Sequence, residues 1–193
     1  MPWKNDQVLE SETEKIIELA KKQLEIDGDY VELGCYRGDT SLLLADLLKN
    51  TGKKLWVYDS FEGLPEKTAN DESALGVDFK KGALGVTKRE VKARFLRAGL
   101  PVPVIKKGWF SDLVSEDLPD AIAFSFLDGD LYESIRDSLG LVNKKMVDGG
   151  LIVVHDYSNE ALPGVARAVD EWLKENNYKF ERYQSMIIIK ITR

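Results

Sequence analysis

Tyr30-Val-Glu-Leu-Gly-Cys-Tyr-Arg-Gly-Asp-Thr40 is the stretch on which the reading of the whole chain turns. Val31 and Leu33 open a buried strand, Gly34 and Gly38 frame a tight turn, and Asp39 and Thr40 suit the N-cap of a helix. Leu42, Leu43, Leu44, Leu47 and Leu48 give that helix a broad apolar face. A strand–turn–helix unit of this kind is the nucleotide-binding corner of open α/β sheets. Two details narrow the ligand. The glycines are spaced G-x-x-x-G rather than G-x-G-x-x-G, and an acid, Glu32, stands just before the first of them. A site for a pyrophosphate needs close backbone approach and has no use for a carboxylate. A ligand with a cationic tail welcomes one. S-adenosylmethionine, whose methionyl end carries an ammonium and a sulfonium, is such a ligand.

Working outward, residues 8–26 read as a helix, with Ser11 and Glu14 as a capping box and Ile16, Ile17, Ala20 and Leu24 at helical spacing. Leu55-Trp-Val-Tyr-Asp59 is a second strand ending in an acid about 20 residues past the glycine turn, where dinucleotide folds place a ribose-binding carboxylate. The alternative is an aspartate that only starts the next turn. Residues 60–86 are irregular, and the segment 62–86 reads either as a functional lid or as a mobile loop. Thr87 and Glu90 cap a helix that runs to Gly99, and Val102–Ile105 is an edge strand because of its proline. Ala121–Leu127 is an apolar central strand ending in Asp128-Gly-Asp130. A helix over 131–146 follows, broken by Gly149-Gly150. Leu151–Val154 is a strand ending in His155-Asp156, and Pro163 opens the last helix. The chain closes on a hairpin, 178–183 and 186–191, whose final strand is buried on both faces. The order argues for an α/β class protein, a doubly wound, mostly parallel sheet with a terminal hairpin.

At 193 residues this is one domain, 1–193, and a net charge of −6 argues against nucleic-acid partners. A single cysteine, Cys35, allows no internal disulfide. The polar N-terminus and the lack of a long apolar run point to a cytoplasmic protein without a membrane partner; a homodimer is compatible.

Ligands of doubly wound sheets bind outside the carboxyl ends of the strands, and Glu32, Asp59, Asp128, His155 and Asp156 all fall at or near those ends. Asp128 and the His155-Asp156 pair invite a divalent cation. Neighbours in a regular strand point to opposite faces, so His155 and Asp156 both reach one ion only if the strand has already ended. The metal-free alternative makes His155 a general base with a nearly neutral pKa. Cys35 reads as a packing residue or a ligand contact, and Trp109 and Phe110 as adenine-stacking or core aromatics.

Val31-Glu-Leu-Gly-Cys-Tyr-Arg-Gly38, Tyr58-Asp-Ser-Phe-Glu-Gly-Leu-Pro65, Gly108-Trp-Phe110, Leu127-Asp-Gly-Asp-Leu-Tyr-Glu-Ser134 and Pro163-Gly-Val-Ala-Arg-Ala-Val-Asp170, taken together, resemble the macrocin O-methyltransferase family of class I S-adenosylmethionine-dependent enzymes. The resemblance implies a seven-stranded Rossmann-like methyltransferase sheet with an antiparallel last strand. It implies methyl transfer to a hydroxyl of a small molecule, often a sugar on a natural product, with a magnesium ion orienting the acceptor. Asp128 matches a metal ligand and base of the family. Where the family has two aspartates after strand five, this chain has His155-Asp156, which also admits manganese or another cation. The expected sites are therefore Asp128 and His155 for catalysis and Asp128, His155 and Asp156 for metal. For the cofactor they are Glu32, Gly34, Cys35, Tyr36, Gly38, Thr40, Asp59, Ser60, Trp109 and Phe110. The rival functions are a non-catalytic S-adenosylmethionine-binding protein and a nicotinamide-dependent oxidoreductase.

Overall fold

The structure, a computed structural model, describes residues 7–77 and 79–193. Its elements run α1 (Glu10–Lys22), β1 (Asp29–Leu33), α2 (Asp39–Leu48), β2 (Leu55–Asp59), α3 (Lys88–Ala98), β3 (Val104–Lys107), β4 (Ile122–Leu127), α4 (Tyr132–Asn143), β5 (Met146–Val154), α5 (Pro163–Asn176), β6 (Lys179–Tyr183) and β7 (Met186–Lys190). The strands form a seven-stranded sheet in the order β3-β2-β1-β4-β5-β7-β6. β3, β2, β1, β4 and β5 are parallel, and β7 is antiparallel to both β5 and β6. The chain winds from β1 outward to β3, then returns to add β4 on the other side of β1. That reversal between β1 and β4 is the switch point at which such sheets open a ligand crevice.

Local sequence explains the layers. β4 and the buried run Met186–Ile189 of β7 carry no polar alternation because helices or neighbouring strands cover both faces. One core lies under α1, α2 and α3, with Ile16, Leu44, Val91, Phe95 and Phe124; the other lies under α4 and α5, with Ile135, Leu139, Val165, Val169 and Ile152. Thr87 and Glu90 make the reciprocal cap expected of α3, and Pro163 sits in the first turn of α5.

Three local expectations are corrected. α1 is not started by a Ser11–Glu14 box: its N-cap is Leu9, with no side-chain cap. Glu12, one residue past Ser11, turns into the protein instead. At α2 the cap position is Gly38, in a left-handed conformation at φ 82°, with Asp39 and Thr40 already inside the first turn. Gly149-Gly150 does not break a helix, since α4 ends at Asn143 and both glycines lie within β5. They form an irregularity: Ile122 pairs with Met146, yet Phe124 pairs with Leu151. A β-carbon on Gly150 would lie 3.1 Å from the Ala123 carbonyl oxygen. Segment 60–86 makes hydrogen bonds within itself and to α4 and α5. Leu64 N–H donates to Ala83 at 2.8 Å, Tyr132 N–H at the start of α4 donates to the Asp71 carboxylate at 2.7 Å, and Arg167 Nη1 donates to Asn70 O at 2.8 Å.

Candidate functional site

The carboxyl ends of β1, β2, β4 and β5 surround one pocket that opens to solvent. Glu32, Gly34, Cys35, Tyr36, Thr40, Asp59, Ser60, Trp109, Phe110, Asp128, His155 and Asp156 all line it. Gly38 does not: it packs against α3, where a β-carbon would lie 3.3 Å from Val91. Its contribution is conformational, not a ligand contact.

The glycine turn is held from below by β2. The Asp59 carboxylate accepts the backbone N–H of Cys35 at 2.9 Å and of Tyr36 at 3.2 Å on one oxygen, and that of Phe61 at 2.7 Å on the other. Asp59 therefore starts the following turn, and it also lines the pocket. Ser60 Oγ donates to Gly63 O at 3.0 Å, so its hydroxyl shapes the same bend. The Cys35 thiol is pushed well above its ordinary range, first by burial and then by the charges of Asp59 and Glu32. It is a packing group facing the pocket, not a nucleophile.

Glu32 is 1% exposed and accepts a hydrogen bond from Ser41. Burial raises its pKa, the Ser41 bond opposes this, and the charges of Asp128, Asp59 and Asp39 raise it further, to about 8. Before a cation arrives, much of Glu32 is neutral at neutral pH.

Across the pocket, β5 ends at Val154 and Asp156 takes a positive φ of 59°. The chain has left the strand, so His155 and Asp156 converge instead of pointing to opposite faces. Donor atoms of Asp128, His155 and Asp156 all lie within 4.8 Å of one another. His155 Nδ1 is 3.1 Å from Asp128 Oδ1 and 3.0 Å from Asp156 Oδ2, while Nε2 is 3.4 Å from Glu12 Oε2. Burial alone would lower the His155 pKa, but Asp128, Asp156 and Glu12 outweigh it and hold the ring well above its ordinary range. The near-neutral value expected for a general base is therefore not what this surrounding gives.

Two acids went unread in the sequence. Asp130 lines the pocket at a φ of 61°. Burial, then the charges of Asp128 and Asp156, push its pKa well above the usual carboxylate range. It stands in the quoted Asp128-Gly-Asp130 motif; the missing signal was the turn that swings it inward. Glu12 is 1% exposed on α1. Its signal was the spacing: it precedes Ile16 by one helical turn and so shares the buried face.

The lining carries the acidic side chains of Glu32, Asp39, Asp59, Asp128, Asp130 and Asp156 beside Arg37 and His155. Such a pocket repels a pyrophosphate and attracts a cationic ligand.

The sequence model of the family described as "Macrocin-O-methyltransferase (TylF)" matches residues 8–184. The chain is 34% identical over 144 residues to 8-demethyl-8-(2,3-dimethoxy-alpha-L-rhamnosyl)-tetracenomycin-C 4'-O-methyltransferase of Streptomyces olivaceus, a match covering 70% of this chain and 55% of that protein. It is 31% identical over 155 residues to demethyldecarbamoylnovobiocin O-methyltransferase of Streptomyces niveus, covering 76% of this chain and 58% of that one. The match thus spans little more than half the length of these curated relatives. Among solved structures, the O-methyltransferase NovP superposes with a TM-score of 0.83 at 28% identity, covering 94% of this chain and 80% of that one. With the match to the family running from the start of α1 to the final hairpin, and the same sheet in a solved relative, the chain belongs to the macrocin O-methyltransferase family.

Proposed function

We propose that the chain transfers the methyl group of S-adenosylmethionine to a hydroxyl of a small molecule, a sugar or natural product, with a divalent cation held by Asp128, His155 and Asp156. The observation that carries this reading is the meeting of the Glu32–Asp59 rim and the Asp128–His155–Asp156 group in one acidic pocket at the β1/β4 switch point. The same acidity argues against the nicotinamide alternative, whose cofactor carries a pyrophosphate.

The donor set suits a cation: two carboxylates and an imidazole converge with oxygen and nitrogen atoms facing a common point. When bound, a cation supplies charge that lowers the pKa of an acceptor hydroxyl. The remaining roles belong to the chain. Asp59 offers carboxylate oxygens to ribose hydroxyls while bracing the turn beneath them. Glu32 faces the cationic methionyl end from beneath the turn, and Trp109 and Phe110 wall the pocket beside the adenine. Methyl transfer breaks the sulfur–methyl bond as the acceptor oxygen forms its own bond to the same carbon, so alignment supplies much of the rate. The hydroxyl proton goes to Asp128, the position that in the family serves as ligand and base. Segment 62–86, with Leu64, Pro65 and Leu84 on the pocket wall, acts as the lid over the donor.

The test is calorimetric binding of S-adenosylmethionine and NAD, followed by incubation with glycosylated and free phenolic acceptors and detection of S-adenosylhomocysteine by mass spectrometry. Donor binding with product formation is expected. Binding of NAD in place of S-adenosylmethionine would overturn the reading, and donor binding with no product across the panel would favour a binding protein.

A further inference from the structure

We propose that Glu12 is a positioning residue for His155, fixing the imidazole so that Nδ1 faces Asp128 and Asp156. The placement of the ring rests on geometry alone; its consequence for a bound cation rests on the reading above.

Glu12 lies on the buried stripe of α1, one turn before Ile16, where an apolar side chain would dock the helix equally well. A buried carboxylate there is costly to desolvate unless partners offset it. Its partners form a directed chain. Oε1 accepts both the backbone N–H of Ser185 at 2.8 Å and the Ser185 hydroxyl at 2.7 Å, in the β6–β7 turn. With one oxygen pinned, the other is aimed at His155 Nε2, 3.4 Å away. Turned over about its Cβ–Cγ bond, the ring would put Cδ2 where Nδ1 now faces Asp128 and Asp156, and Cε1 where Nε2 now faces Glu12. With a cation on Nδ1, Asp128 and Asp156 would no longer take a hydrogen bond from the ring. Glu12 would still take one, because it stands on the opposite side of the ring at Nε2. Phe126, with its ring centre 6.2 Å from that of His155, bounds another side. A histidine that ligates through one nitrogen is commonly held by a carboxylate on the other, and loss of such a partner weakens cation binding about 10–100-fold. The residues just before α1, Gln7 and Val8, line the pocket, so the segment that walls the site also orients its imidazole.

His155 is the only histidine in the chain, so its ring signals need no assignment. Long-range 1H–15N spectra of 15N-labelled protein, recorded with and without magnesium, would be compared for wild type, Glu12→Gln and Glu12→Met. Methionine preserves the packing volume, and circular dichroism checks the fold. Wild type should show a downfield, slowly exchanging Nε2 proton; Glu12→Met, and Glu12→Gln whose one oxygen stays on Ser185 and whose amide nitrogen then meets Nε2, should lose it. Magnesium affinity should fall roughly tenfold or more in both variants, with S-adenosylmethionine affinity unchanged in both. A folded Glu12→Met with the wild-type ring spectrum would overturn the proposal. If wild type binds no magnesium, the cation reading fails by itself and the metal-free ring comparison still decides the role of Glu12.

Discussion

Gly34 faces the backbone of Asp128 so closely that a β-carbon on Gly34 would lie 2.0 Å from the Asp128 carbonyl oxygen. Asp128 N–H in turn donates to Leu33 O at 2.9 Å. The donor-binding turn after β1 and the acidic turn after β4 are thereby pressed together, which is how residues nearly a hundred positions apart come to share one pocket. Gly34 also sits at φ +89°, a conformation other residues rarely adopt. Gly34→Ala should therefore lose about 3 kcal/mol or more, from both strain and overlap. Gly52→Ala is the control, since Gly52 has φ +78° with nothing within 4 Å of the added carbon. It should lose only about 1 kcal/mol. Equal losses in urea denaturation would show that the Gly34–Asp128 approach is not what holds the site together.

Asp59 braces three backbone N–H groups, so its removal cannot be neutral for the fold, as a purely ribose-binding residue would be. Each orphaned buried donor costs about 1–3 kcal/mol. Asp59→Ala should lower the melting temperature clearly. Asp59→Asn retains one acceptor oxygen and should lower it by less than half as much, while weakening S-adenosylmethionine binding at least tenfold on the proposed reading. Wild-type affinity in Asp59→Asn, measured by calorimetry, would withdraw the ribose role.

Much of the fold could be read from residues because its signals are local. The strand–glycine–helix of Tyr30–Thr40, the apolar run of β4, the Thr87–Glu90 cap and the Pro163 start each fix an element without distant help. The acid at each strand end was legible for the same reason. What could not be read depends on partners far along the chain. Gly149-Gly150 looks like a helix stop until Ala123 is beside it. Glu12 looks like a solvated acid until Ser185 and His155 close around it. Asp130 is only the end of a short acidic motif until its positive φ turns it into the pocket. The pKa of His155 depended on counting three carboxylates around the ring, only one of them adjacent in sequence.

Asp128 carries the proton on the proposed mechanism. Asp128→Asn should therefore lower kcat about 10²–10⁴-fold and leave S-adenosylmethionine affinity within about twofold, since loss of a base acts on the chemical step. A tenfold or greater loss of donor affinity with kcat retained would assign Asp128 to binding.

Chelation tests the cation directly. On the proposed reading, treatment with a strong chelator should reduce turnover at least tenfold, with magnesium or manganese restoring it. Asp156→Ala should mimic the chelated state and not respond to added ion. Asn159 Nδ2, which donates to Asp156 at 2.8 Å, loses its acceptor in that variant, so its melting curve must accompany the assay. Turnover indifferent to chelator would leave the three side chains as a hydrogen-bonded group only.

Glu32 makes both stability and donor binding depend on pH, in opposite directions. Its pKa is raised from 4.5 to about 8 in the folded chain, first by burial. Between those values the folded state holds a proton that the unfolded state has released. The stabilisation is complete below about pH 4.5 and is lost as pH rises towards 8, with a slope of at most about 1.4 kcal/mol per pH unit for one proton. A cationic ligand reverses the preference by favouring the ionised carboxylate, so S-adenosylmethionine affinity should rise with pH and level off above about 8. Glu32→Gln keeps an acceptor for Ser41 and removes the titration. The difference between wild-type and Glu32→Gln melting curves, taken with chelator present so that no cation intervenes, isolates this one group because the other titrating residues cancel. The variant should gain on wild type as pH rises from 5 to 8, and its donor affinity should be flat over the same range. Parallel stability curves would mean that Glu32 is already ionised in the free protein, and the cationic end of the donor would then find its counter-charge ready-made.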